Sequence, residues 1–415
     1  MTVALQLAML AGLLGLAVAV LRHTADPIHP AVLLAGLWSL VLGLYLLAPH
    51  ALQAIGIATV LLVTAGSAAF VLGALAVGQS PQTATRARFT TTAMRPALFW
   101  LAVLGLPLYA MKAFELAESA AFTESMLINL RIALTGERDD VQTYGVLGYL
   151  VQVSFASTLV ELAASRRRGF EARGWISLLV SLVYALLATG RTFVFVLIIG
   201  LVFVAVVQGR IARRHLIWAA VISLGVLFFG LGVLFNKIGE DSLNVNALGA
   251  LDALGLYLLG SLAVRDQALT ANTSLTWGLN SLRSFFAVLH SLGADATVVS
   301  LVTEYVYLPE PTNVYTVFVS YVKDFGPAGA VLCMALFGWR HARLYGAAKS
   351  LDPRFVILHA LALYALMMQF FQDQYFSLFT FWAVFIALVF PCFRPLHATR
   401  PGRSSPPPRL SLQAS

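Results

Sequence analysis

The chain has 415 residues, of which 59% are hydrophobic and only 11% charged, and its formal net charge is +8. A soluble globular domain carries about 25% charged residues, so composition argues against a soluble enzyme. The basic residues cluster beside apolar blocks, where they report membrane topology and not a nucleic-acid partner. Cys333 and Cys392 are far apart and lie in or beside apolar blocks, so neither a disulfide framework nor a zinc spacing is visible.

Apolar blocks of roughly 16–25 residues recur along the chain, the length needed to cross a hydrocarbon core. They predict an all-α integral membrane protein. Eleven spans are expected, near 2–21, 30–48, 52–77, 96–112, 144–163, 175–189, 193–208, 216–235, 326–344, 355–371 and 376–391. The first lacks a basic leader and a cleavage site, so it reads as a retained span. Six basic clusters set the orientation: Arg22; Arg86, Arg88 and Arg95; Arg166 to Arg168 with Arg173; Arg210, Arg213 and Arg214; Arg340, Arg343, Lys349 and Arg354; and the tail from Arg394. Eleven spans starting from an external N-terminus put all six inside.

Two outward loops are long, at about 113–143 and 236–325. A long loop inside a compact protein is usually functional or disordered. The second is rich in Leu, Tyr and Phe, and is expected to fold over the bundle. Within it, 246–264 and 284–302 are apolar but interrupted by Gly249, Asp252, Gly255, Gly260, His290 and Asp295, which predicts interfacial or re-entrant helices. Residues 1–395 form one membrane domain on this reading. The Pro- and Ser-rich tail at 396–415 is expected to be disordered and cytoplasmic.

The outward arginines Arg131, Arg138, Arg191, Arg265 and Arg283 run against the inward bias of positive charge. Arginine suits phosphate because its planar fork donates parallel hydrogen bonds and keeps its charge. Arg191 sits in the tight hairpin Ala188-Thr189-Gly190-Arg191-Thr192. Arg131 follows an amphipathic pattern formed by Met126, Leu127, Leu130, Ala133 and Leu134. Asn280-Ser281-Leu282-Arg283 precedes Phe285, Phe286 and His290. A histidine titrates near neutrality and can act as a general base; Glu304 and Asp324 are the acidic alternatives. The adjacent pair Asp139-Asp140 reads as a solvated turn. There is no HExxH, CxxC, P-loop or GxSxG elbow, so no metal or nucleotide cofactor is expected.

Three stretches carry a family resemblance. Asn313-Val314-Tyr315-Thr316, then Tyr321 to Gly326 (Tyr-Val-Lys-Asp-Phe-Gly) with Gly329, resemble the bacterial O-antigen polymerases of the Wzy type, also called oligosaccharide repeat unit polymerases. Gly190-Arg191-Thr192 looks like that family's small-Arg-small hairpin, and Phe370 to Phe376 like its last outward loop. The resemblance covers about 120–390. It implies a metal-independent, inverting glycosyltransferase on the periplasmic side of a Gram-negative inner membrane. Donor and acceptor would both be glycans on undecaprenyl pyrophosphate, and a flippase and a chain-length regulator would be its partners. On this reading Arg131, Arg191 and Arg283 bind the pyrophosphate, and His290 or Glu304 is the base. Tyr305, Tyr315 and Tyr321 contact sugar, and Asn313 and Asp324 bind substrate or shape the loop. An O-antigen ligase acting on lipid A–core is the nearest alternative, and a lipid-linked glycan flippase is the alternative of another class.

Overall fold

The computed structural model describes residues 2–48, 52–78, 89–120, 123–135, 142–165, 170–212, 255, 258–266, 274–300, 306–307 and 311–396. The predicted span 216–235 and the tail 397–415 lie outside them. The described chain is mostly helical: α1 (Thr2–Thr24), α2 (Pro30–Leu47), α3 (Ile57–Leu75), α4 (Met94–Ser119), α5 (Met126–Thr135), α6 (Tyr149–Ala164), α7 (Ala172–Leu187), α8 (Arg191–Val207), α9 (Arg283–Ser291), α10 (Val317–Lys349), α11 (Pro353–Met367) and α12 (Phe379–Val389). Residues 258–266 are also helical.

Six helices, α1, α2, α3, α4, α6 and α10, are long and apolar enough to cross a membrane; α7, α8, α11 and α12 are shorter and equally apolar. Leu5, Leu14 and Val18 of α1, Leu61 and Leu72 of α3, and Leu104, Leu108 and Met111 of α4 are all exposed. Apolar surface on that scale belongs in lipid and not in water, so this is a multi-pass membrane protein. Several polar groups inside the bundle are paired. Glu161 on α6 is buried, receives two hydrogen bonds from Arg95, and lies 3.3 Å from Arg173. Ser157 bonds Ser177 and Thr158 bonds Ser181 across α6 and α7.

Short strands depart from a purely helical expectation. β1 (Phe89–Thr91) pairs antiparallel with β4 (Phe393–Pro395), and β2 (Val306–Tyr307) with β3 (Pro311–Thr312). The first pair clips the approach to α4 onto the end of α12. The predicted amphipathic segment in the first long loop is α5, which buries Leu130 and Ala133 against Ala113, Leu116 and Ala117 of α4. The predicted helix at 284–302 is corrected. It covers only Arg283–Ser291, because Gly293 takes φ +90° and the chain to Ser300 is not helical.

The predicted span 326–344 corresponds to the second arm of α10, which runs on to Lys349, while the helical stretch from Val317 precedes it. The α10 backbone breaks at Gly326 (φ 73°, ψ 176°), with Pro327 next. Positive φ is costly for other residues, and proline cannot continue the preceding helix. A straight helix would hold Tyr321 and Phe337 roughly 24 Å apart, yet their ring centroids are 5.4 Å apart. Phe318 and Met334 both face Gly66 of α3. The segment before Gly326 therefore folds back along the segment after it, as a helical hairpin. Seven residues separate Pro327 from Met334, so the hairpin's N-terminal end dips roughly 10 Å below its turn. At that depth Tyr315 N–H donates to Phe371 O (3.2 Å) and Val317 N–H to Gln369 O (2.8 Å). These bonds satisfy backbone that lipid cannot.

Close packing of α10 on α3 fixes the hairpin. A Cβ at Gly73 would lie 2.0 Å from the Ala335 carbonyl oxygen, and one at Gly338 1.9 Å from that of Phe70. Small residues permit this approach. Gly338→Ala forces the two backbones apart and is expected to cost about 1–3 kcal/mol, read as a lower melting temperature in detergent. Gly36→Ala on α2, where nothing lies within 4 Å, is the matched control and is expected to leave melting unchanged.

Candidate functional site

The hairpin, the α11–α12 loop and the segment carrying α9 form the walls of an open pocket. Asn313, Tyr315, Ser320 and Lys323 line it from the hairpin and its approach. Asn280 and Arg283 line it from the α9 segment, and Gln372, Asp373 and Ser377 from the α11–α12 loop. Three stretches far apart in sequence thus meet at one concave surface, lined by two cations and one carboxylate. Concave sites with a few convergent polar groups are where ligands bind.

Each charged group is held. Arg283 opens α9 and donates from Nε to the Val299 carbonyl, which fixes the plane of its guanidinium. Lys323 Nζ stands 5.8 Å from the centre of the Tyr315 ring. Asp373 is buried. Its Oδ1 accepts from Tyr321 Oη (2.8 Å) and Tyr375 N–H (2.9 Å), and its Oδ2 from Ser377 N–H (3.1 Å). Burial pushes this carboxyl above the ordinary aspartate range, opposed by those hydrogen bonds.

Asp324, at the turn of the hairpin, is fully buried and does not line the pocket. Its carboxylate accepts from Thr276 Oγ1 (2.5 Å), Asn280 N–H (3.1 Å), Asn280 Nδ2 (2.8 Å) and Ser281 N–H (2.6 Å). Thr276 and Trp277 N–H also donate to the Lys323 and Asp324 carbonyls. Asp324 thereby holds residues 276–281, and with them Asn280 and Arg283, over the hairpin.

The expected site residues divide as follows. Arg283, Asn313 and Tyr315 come together in the pocket. Tyr321 is buried beneath it, bonded to Asp373. His290 is exposed near the C-terminal end of α9 and is not among the residues that line this pocket. His290 shares the helix face of Arg283 but lies almost two turns, roughly 10 Å, further along α9. Arg131 is half-buried on α5 and also does not line the pocket. Arg191 is the first residue of α8, and its side chain lies outside the described set. Glu304, Tyr305 and Arg138 fall outside the described residues. Lys323, Asn280 and Asp373 were not singled out as site residues from sequence. Lys323 and Asp373 stand inside two of the stretches that carried the resemblance, and that proximity was the available signal.

The fold and site define a multi-pass α-helical membrane protein with a polar pocket walled by a helical hairpin. No family model, curated protein or solved structure matches the chain. Asp324→Ala leaves Thr276, Asn280 and Ser281 without their shared acceptor. Bonds to a charged group are worth about 1.5–3 kcal/mol each. The expected outcome is a lower melting temperature and faster proteolysis between Thr276 and Leu282, while Asp324→Asn, which keeps one acceptor oxygen, shows a smaller effect.

Proposed function

We propose that the protein is a polysaccharide polymerase of the bacterial inner membrane, using eleven spans with the pocket on the periplasmic side. It joins oligosaccharide repeat units carried on undecaprenyl pyrophosphate. The observation that carries this reading is the convergence of Arg283, Lys323, Asn313 and Tyr315 with one carboxylate, Asp373, in a pocket sunk below the hairpin turn. A diphosphate on a lipid anchor is presented at that level. Two cations at the leaving oxygen match the charge that develops there, and tyrosine and asparagine suit a sugar.

In the transfer, a hydroxyl of the incoming unit attacks the anomeric carbon of the donor glycan as the bond to pyrophosphate breaks. Asp373 takes the hydroxyl proton. Arg283 and Lys323 neutralise the departing pyrophosphate, with Arg191 and Arg131 as further candidates for its outer oxygens. A carboxyl raised toward neutrality is a stronger base than an ordinary one. No metal is required, because pyrophosphate is already a good leaving group. The ligase alternative draws on an outer-loop histidine, and no observation favours His290 for that role.

Deleting the gene in the native host and separating its lipopolysaccharide on a gel tests the reading. A polymerase loss leaves core plus one repeat unit, and a ligase loss leaves bare core. An unchanged ladder excludes both. In the complementing copy, Arg283→Ala is expected to lower transfer by roughly 10²–10³-fold and Asp373→Asn by roughly 10²–10⁴-fold, each seen as a collapsed ladder with normal protein level.

The pH dependence has a defined sign. The base acts only when deprotonated, so transfer by the purified protein falls as pH drops through the Asp373 titration. Because burial raises that titration, the acidic limb is expected above the ordinary aspartate value of about 3.9. A limb at or below that value would remove Asp373 as base.

A further inference from the structure

Two buried histidines in the bundle play no part in the proposed transfer. His341 on α10 and His359 on α11 are 1% and 0% exposed. Both ring nitrogens of His359, and Nδ1 of His341, have no hydrogen-bond partner among the described residues. Every imidazole carries at least one N–H donor, and the neutral ring also carries an acceptor. Buried groups of this kind are nearly always satisfied, by protein or by ordered water. The two rings are neighbours, with centroids 6.1 Å apart and planes at 81°.

They stand in the middle of a polar column. Toward the pocket, His341 Nε2 lies 3.0 Å from Tyr375 Oη, which also accepts from Gln369 Nε2 at 2.9 Å. The Tyr375 backbone N–H donates to Asp373 on the pocket wall, which places the Tyr375 ring beside that carboxylate without passing a proton to it. Away from the pocket, the Tyr345 ring lies 5.1 Å from that of His359. Its hydroxyl donates to Asp26 at 2.7 Å, and Asp26 pairs with Lys349 at 2.8 Å. The column's α10 members, His341 to Lys349, cover roughly 12 Å of helix, and Lys349 is the last residue of α10. The column therefore joins the pocket to the opposite end of the bundle. Other charged or titratable groups near it are His29, from the α1–α2 turn and 5.9 Å from the Tyr345 ring, and Arg340 on α10.

Ionisable side chains inside membrane helices are costly and mark ion or proton routes. Histidines kept for packing alone would have partners for their ring nitrogens. We propose that this column is a proton path between the pocket and the far end of the bundle, with His341 and His359 as relay and water filling the gaps around His359 and between the Tyr375 hydroxyl and Asp373. Each histidine takes a proton on one ring nitrogen and releases one from the other. Asp373 and Asp26 exchange protons with solvent at the two ends. No covalent bond to carbon changes, and no electrons are transferred.

The test uses the full chain in vesicles of phosphatidylethanolamine and phosphatidylglycerol that enclose a pH-sensitive dye. A potassium gradient with valinomycin sets the driving potential. The wild-type protein is expected to carry protons faster than protein-free vesicles do. His359→Leu and Tyr345→Phe are both expected to lose that increment. Tyr345→Phe keeps the ring and removes only the hydroxyl, so it probes the path where His359→Leu disturbs packing, and size-exclusion profiles certify both variants. A wild-type rate equal to that of protein-free vesicles overturns the proposal. A wild-type rate in either folded variant does so as well. The assay contains no glycan, so its outcome is separate from that of the transferase reading.

Discussion

The close crossing of α3 and α10 is the contact on which the rest of the described structure depends. Gly73 and Gly338 each bring one helix backbone against a carbonyl of the other, a distance that any side chain would prevent. Lipid tails are as apolar as leucine, so burial of apolar surface gives two membrane helices little reason to associate. Fit between backbones and the satisfaction of polar groups must do so instead. With α10 seated in this way, the hairpin at Gly326, one wall of the pocket and the column through His341 and Tyr345 all have fixed positions.

The hairpin follows from a second constraint. In lipid every backbone N–H and C=O must find an internal partner, so a chain that leaves helical geometry needs protein around it. The approach to α10 meets this need by bonding to the stretch after α11, Tyr315 to Phe371 and Val317 to Gln369. The same pairing brings the Asn313–Thr316 stretch against the Asp373 loop. A polar pocket below the hairpin turn is thus a product of backbone satisfaction as much as of side-chain choice.

Asp324 and Asp373 show how similar residues acquire different work. Asp324 spends its acceptor capacity on Thr276, Asn280 and Ser281, and so ties the covering segment to the hairpin. Asp373 is also held by three donors but stands on the pocket wall. From the chain alone Asp324 was singled out and Asp373 was not, although both sit in short polar stretches beside apolar blocks. Arg283, Asn313 and Tyr315 were legible, since an outward arginine and an irregular polar motif break the apolar pattern. Lys323 and Asn280 were not, because a surface lysine and a turn asparagine are commonplace until the fold brings them to one cavity. His290 shares the helix face of Arg283, but its distance along α9 keeps it out of the residues that line the pocket.

By itself the sequence determined the class of protein, because the length and composition of apolar blocks are local properties that the bilayer reads directly. It also determined α5, whose amphipathic spacing matches its buried face, and the approximate position of the helices found among the described residues. Tertiary structure alone decided the fold-back at Gly326, the grouping of three distant stretches into one pocket, and the alignment of Asp26, Tyr345, His359, His341 and Tyr375 through the bundle. These depend on which helix faces meet, and no local periodicity encodes that. It follows from the few places where small residues let backbones approach and where buried polar groups find one another.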